Sequence, residues 1–236
     1  MVTFKKYMKY CWKYFESLTI LLGIIFLIVA GGKAFASSID DLVANLHSND
    51  QQTQMLAVEE LGNIKDDRAV DALLQLVVNR GEDWRIKIKA IRLLGDVPDS
   101  RVLERLVKIF NDPFLNEECP AIQWNTAIAL GKKFNKGSRA VDSLIDAINH
   151  YNLLVREAVI QSLGRIGDSR AVPFLILALN NKRFAIKFSA IKALENIGDP
   201  QAIPFLKQIA ENDSDPYVKG EAITVLKKIL SRSSVK

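Results

Sequence analysis

The chain has 236 residues, of which 49% are hydrophobic and 25% charged, with a formal charge of +5. That length and composition exclude a disordered chain and allow a sizeable core. Two cysteines and two histidines are too few for a disulfide framework and stand in no metal-ligand spacing.

The positive charge is local. Of the 32 basic and 27 acidic residues, five (Lys5, Lys6, Lys9, Lys13, Lys33) and one (Glu16) precede residue 37, which leaves 27 and 26. A near-neutral remainder removes the electrostatic argument for nucleic acid. The basic stretch leads into an uncharged run over 17–32 and then Ala34-Phe35-Ala36, a small-x-small cleavage signature. As a helix the run measures roughly 24 Å, short of the roughly 30 Å hydrocarbon core. Residues 1–36 are therefore expected to be a cleaved signal peptide, with Ser37 first in the mature chain. The alternative is an uncleaved anchor, with Tyr7, Tyr10, Trp12 and Tyr14 in the interface. In both readings the domain over 37–236 lies outside the cytoplasmic membrane, either periplasmic or secreted, or anchored there. Cys11 falls in the leader, so Cys119 is alone and no intramolecular disulfide is expected.

After the leader, five segments repeat about 33 residues apart. Residues 61–73 read LGNIKDDRAVDAL, 94–106 LGDVPDSRVLERL, 130–144 LGKKFNKGSRAVDSL, 163–175 LGRIGDSRAVPFL and 194–206 LENIGDPQAIPFL. Helical apolar spacing precedes each, as in Ile86, Ala90, Ile91 and Leu94, or Val155, Val159, Ile160 and Leu163. Each unit is thus expected to be two helices joined by a tight turn. Asp66, Asp99, Asp168 and Asp199 stand where a carboxylate can cap the second helix. Pro173 and Pro204 predict a short 3₁₀ turn before regular α-helix. Asn79, Asn111, Asn149 and Asn180 are expected to end the second helices in the left-handed conformation. Residues 39–47 read as a lone second helix and 217–230 as a lone first helix, two half-repeats closing the stack.

The run VREAVIQSLGRIGDSRAVP over 155–173 resembles the HEAT-repeat family, in particular the short bacterial type related to phycobilisome-lyase repeats. The resemblance covers about 51–230. It implies an all-α, right-handed α-solenoid of about five repeats plus terminal half-repeats, with second helices on the concave side. It implies no reaction.

Catalytic residues, metal and cofactors are accordingly expected to be none. His47 and His150 end helices, where a cation suits the dipole. A Cys119–His150 nucleophile and base is the only catalytic pairing to weigh against a lone thiol. Arg68, Arg101, Arg139 and Arg170 recur at one turn position and, with Asp66, Asp99, Asp168 and Asp199, are expected to form a structural inter-repeat ladder. Two features exceed what the repeat needs. Phe114 and Leu115 stand in a long linker over 112–120, as partner contacts or as a local plug. On the second helices, Ala72, Arg105, Ser143, Phe174 and Phe205 occupy matched positions, followed one turn on by Gln75, Lys108, Asp146, Leu177 and Gln208. The face turns from charged to apolar toward the carboxyl end. The functional expectation is a monomeric, non-catalytic scaffold that docks another protein of the cell envelope. Contacts are expected at Phe174, Leu177 and Phe205, with Arg105 and Lys108 further along. The membrane is touched only through the leader, if it is retained. The resemblance offers an accessory lyase or chaperone-lyase for a tetrapyrrole cofactor as an alternative, and an anchored leader offers a subunit of a membrane complex.

Overall fold

The computed structural model describes residues 38–64, 66–132, 135 and 138–233; the expected leader lies outside them. Among the described residues there are thirteen α-helices: α1 Ile39–Asn45, α2 Gln51–Asn63, α3 Asp67–Val78, α4 Trp84–Leu94, α5 Ser100–Phe110, α6 Pro113–Glu118, α7 Pro120–Leu130, α8 Arg139–Asp146, α9 Leu153–Ile166, α10 Val172–Ala178, α11 Phe184–Ile197, α12 Ile203–Asn212 and α13 Pro216–Ser233. The chain divides into Met1–Asp41 and Leu42–Lys236. Of the first unit only residues 38–41 are described, and there Ser38 and Asp41 exchange hydrogen bonds at the start of α1.

In the second unit the first helices α2, α4, α7, α9, α11 and α13 pack successively as one layer. The second helices form the other layer: α3 packs on α5, α5 on α8, and the series continues through the short turns before α10 and α12. Between the layers lies a continuous core. Ile86, Ala90, Ile91 and Leu94 are fully buried, and so are Val155, Val159, Ile160 and Leu163. The period-3.6 stripes read from the sequence are these inward faces.

The glycine of each LG pair explains how closely neighbouring units approach. A Cβ on Gly95 would lie 2.7 Å from Ala129 Cβ, on Gly131 2.4 Å from Ser162 Oγ, and on Gly164 2.6 Å from Ala193 Cα. Each contact is with the residue just before the next unit's matched leucine. In the fifth unit Glu195 takes the glycine position. It is buried, and it accepts from Lys228 of α13 and from Lys192 at 3.0 Å. Burial favours its neutral form, but those two ammonium groups hold its carboxyl below the usual range.

Aspartates cap the second helices. Asp66, Asp99, Asp168 and Asp199 each accept the backbone N–H two residues on, at 2.7–3.0 Å. Ser138 does the same for α8. The 3₁₀ turns occur at Ser169–Ala171 and Pro200–Ala202, with α-helix starting one residue before Pro173 and Pro204.

Two expectations are corrected. No described non-glycine residue has positive φ; only Gly167 and Gly198, which end the first helices α9 and α11, adopt it. Second helices close differently. Side-chain donors on first helices reach their terminal carbonyls: Gln54 to Leu46 at 2.9 Å, Gln123 to Phe110 at 3.2 Å, Arg156 to His150 at 2.8 Å and Lys219 to Glu211 at 2.9 Å. Amide and cationic donors satisfy orphan carbonyls, and the cations also meet the negative helix end. The second correction concerns the linker over 112–120, which contains α6. Asp112 accepts from Phe114 and Leu115 N–H, and Pro113 opens the helix.

Candidate functional site

The second-helix face carries the expected contact residues on its surface. Phe174 and Leu177 project from α10 with 39% and 68% of their area exposed, and Phe205 from α12 with 43%. Phe174 and Leu177 border a recess of about 200 Å³, with Arg156, Ile148 and Asn149 in its wall; Phe205 is not part of it. Toward the middle of the face, Arg105 is half-buried and Lys108 exposed. Lys108 shares a recess of about 370 Å³ with Glu104 and Arg139, between α5 and α8. The gradient from charged to apolar is therefore a property of solvent-facing atoms.

Phe114 and Leu115 part company. Leu115 is buried at 5% exposure, while Phe114 is 60% exposed with the Arg80 guanidinium 4.8 Å above its ring. One residue plugs α6 onto the stack and the other faces solvent.

The arginine column links units at two steps. Arg101 pairs with Asp99 in its own turn at 2.7 Å and with Asp67 of the preceding unit at 2.8 Å. Arg170 likewise pairs with Asp168 at 3.1 Å and Asp142 at 2.7 Å. The inter-repeat acids are thus Asp67, with Asp71 at 3.8 Å, and Asp142, not the capping aspartates themselves. Arg68 pairs with Asp66 at 3.4 Å, and Arg139 has no ion pair among the described residues. Asp199 caps its own turn, where Gln201 replaces the arginine. Both linking guanidiniums are nearly half exposed, so solvent screens each inter-repeat pair and it adds little to stability. That is far below a buried pair.

His150 differs from its expected part. Its Nδ1 accepts the N–H of Asn152 at 3.1 Å, so the ring is neutral with its proton on Nε2. Asn79, Asn181 and Asp213 accept the N–H two residues on in the matching turns. His150 therefore does the work of an Asx turn and does not act as a cation at the helix end. Burial pushes its pKa down. A histidine held neutral in the fold contributes stability above its unfolded pKa of about 6.5 that is lost as pH falls through the folded value. His150→Asn keeps the acceptor without the titration. Its melting temperature is expected to drop less than wild type between neutral pH and mildly acidic pH. Equal drops would separate His150 from the acid sensitivity.

Cys119 closes α6, opens α7, and is absent from the recess that His150 lines. Among the described residues, no group of three or more His, Cys, Asp or Glu side chains could hold a metal ion. No described helix is long and apolar enough to cross a membrane.

Two stacked layers of helices with a repeated turn define an α-solenoid whose prominent feature is a graded surface. A family model for HEAT repeats matches residues 39–117, 113–183 and 167–227, and the chain belongs to the HEAT-repeat family. An engineered protein superposes with a TM-score of 0.56 at 19% identity, over 83% of this chain and 97% of that one. A designed armadillo repeat protein in complex with the peptide (KR)4 gives 0.56 at 15% identity, over 82% and 100%. The complex of CpcE and CpcF of phycocyanin lyase from Nostoc sp. PCC7120 gives 0.52 at 21% identity, over 80% and 75%. Likeness at such identity shows the fold alone. No curated protein matches the chain.

Proposed function

We propose that this chain is a non-catalytic scaffold outside the cytoplasmic membrane that docks a polypeptide of another envelope protein on its second-helix face. The observation that carries this reading is the exposure of Phe174, Leu177 and Phe205 at positions where earlier units carry Ser143, Asp146 and Arg105. A repeat stack gains nothing from apolar side chains it does not bury, whereas a partner gains hydrophobic anchors. The leader read from the sequence supports the location. A designed relative of the same fold class holds a peptide, which makes an extended polypeptide a reasonable occupant. The residues assigned to the contact are Phe174, Leu177 and Phe205, with Arg105, Lys108 and exposed Phe114 at its margin.

The test is capture from the native envelope by wild type and by Phe174→Ser with Phe205→Ser. Exposed anchors of this kind each contribute about 1–3 kcal/mol to binding. The double variant is expected to keep its helical circular dichroism and melting temperature while losing the partner. Wild-type capture by the folded variant would move the binding site elsewhere.

A further inference from the structure

A third recess, of about 370 Å³, opens where the ends of α5 and α8 meet the wall made by α6. We propose that it binds the cationic side chain of an arginine or lysine in a partner polypeptide. Its lining contains two carboxylates, Glu117 and Asp146, and no lysine or arginine. Both carboxylates are exposed, and neither has an ion-pair partner among the described residues. A larger acidic recess, near the first turn, is different: Asp67 and Asp99 there pair with Arg101, and Asp96 pairs with Lys132.

Three further features give the recess the same sign. First, Phe110 with Asn111 and Asp146 with Ala147 bring the carboxyl-terminal ends of two helices to it, where the peptide dipoles leave partial negative charge. Second, Asn116, which lines it, is only 9% exposed. Its Nδ2 donates to the Phe110 carbonyl at 2.8 Å, which fixes the orientation of the amide, and its Oδ1 has no partner. Buried and without a donor, that oxygen is an unmet acceptor in the wall of the recess, and an N–H that displaced the atoms over it would satisfy it. Third, His150 cannot supply a competing positive charge while its Nδ1 accepts from Asn152. The exposed Tyr151 ring at the rim offers a face for a guanidinium or ammonium. A recess of this volume is sized for a side chain with an apolar stem and not for a bare metal ion.

The site adjoins the apolar patch. Ala147 and His150 line this recess, and the two residues between them, Ile148 and Asn149, line the one bordered by Phe174 and Leu177. A basic residue in the docked segment would therefore sit beside the one contacting the patch. The choice of a polypeptide partner rests on the scaffold reading above; the chemistry of the recess does not.

The test titrates acetyl-arginine amide and acetyl-lysine amide into the ¹⁵N-labelled full-length chain, in mild detergent where the leader is retained. Acetyl-citrulline amide serves as the neutral isostere of arginine. The cationic probes are expected to shift the Asn116 side-chain amide and the backbone signals of Tyr151 and Glu117, with dissociation constants in the millimolar range. Citrulline should bind about tenfold more weakly, and so should arginine to Glu117→Gln with Asp146→Asn. Both substituted side chains are exposed, so an unchanged melting temperature is expected to accompany the loss. Three results overturn the proposal: citrulline equal to arginine, undiminished binding to the double variant, or no shifts at the recess. Because the titration uses no partner, a failed envelope capture leaves it standing, and a failed titration leaves the Phe174 patch untouched.

Discussion

Gly164→Ala lowers the melting temperature, and Gly220→Ala raises it. Both glycines lie inside α-helices, and in isolation alanine is the better helix former by about 0.5–1 kcal/mol. The Gly220 site shows that gain because nothing lies within 4 Å of the added methyl. At Gly164 the methyl would meet Ala193 Cα at 2.6 Å and Cβ at 2.7 Å. Backbone cannot rotate away, so α9 and α11 must separate, and overpacking of this kind costs about 1–3 kcal/mol. Gly164→Val adds two further methyl groups and is expected to disrupt the stack at that junction. Gly62→Ala falls between: its nearest neighbour, Leu93 Cδ1 at 2.6 Å, can rotate away, whereas Leu93 Cβ at 2.9 Å cannot, and no main-chain atom of Leu93 is as close. Denaturant melts of the three alanine variants should rank them Gly220, Gly62, Gly164 from most to least stable. A stable Gly164→Ala would mean that the units are not packed backbone to backbone there.

The ranking marks what a linear reading reaches. The 33-residue phase and the apolar stripes were legible because both are periodic along one chain. The LG glycines were visible as a motif, but their reason lies across units, against Ala129, Ser162 and Ala193, and no local rule supplies that contact. The donor column was in plain sight: Gln54, Gln123, Arg156 and Lys187 each stand seven residues before the matched leucine, a position that Lys87 also occupies. What a linear reading does not place is the neighbouring helix end that these side chains meet; at the same position Lys87 is among the most buried residues in the structure. The asparagines were misread through their tolerance of the left-handed conformation. Asn79 acts instead through its side-chain oxygen, as does Asn181, the residue after the expected Asn180, another local habit of the same residue. The α6 helix carried its own signature, since Asp112-Pro113 is an N-cap followed by a first-turn proline, but its place in a connection between repeats made it read as a linker. As for the candidate site, the apolar shift at Phe174, Leu177 and Phe205 was readable from matched positions, while exposure had to come from packing. The acidic recess was not readable at all, because four helices contribute to it.

Lys187→Met is expected to cost about 3 kcal/mol, at the lower end for a broken buried ion pair. Lys187 belongs to the donor column but reaches Asp213, at the end of α12, at 2.5 Å. The Asp213 side chain is 6% exposed and that of Lys187 14%. Asp213 also accepts the Asp215 N–H at 2.9 Å, which sets the turn into α13. Burial alone favours the neutral acid, but the Lys187 ammonium, together with the Asp215 N–H, holds the carboxyl below its ordinary value. In wild type this pair therefore contributes stability above the unfolded pKa of about 3.9, lost as pH falls through the lower folded value. Removing Lys187 leaves a charge in the interior with one hydrogen bond and moves its pKa upward. Protonation then relieves the variant, so its deficit relative to wild type should shrink as the pH is lowered from neutral toward 4. Asp213→Asn should cost less, because the amide oxygen keeps the turn as Asn79 and Asn181 do, and the long Lys187 stem can carry its charge outward. The double substitution should recover part of the Lys187→Met loss. Urea melts of the four proteins at two pH values close the cycle. A Lys187→Met cost no larger than that of Lys207→Met, an exposed lysine on α12, would show that the pair is solvated and does not hold the turn into α13.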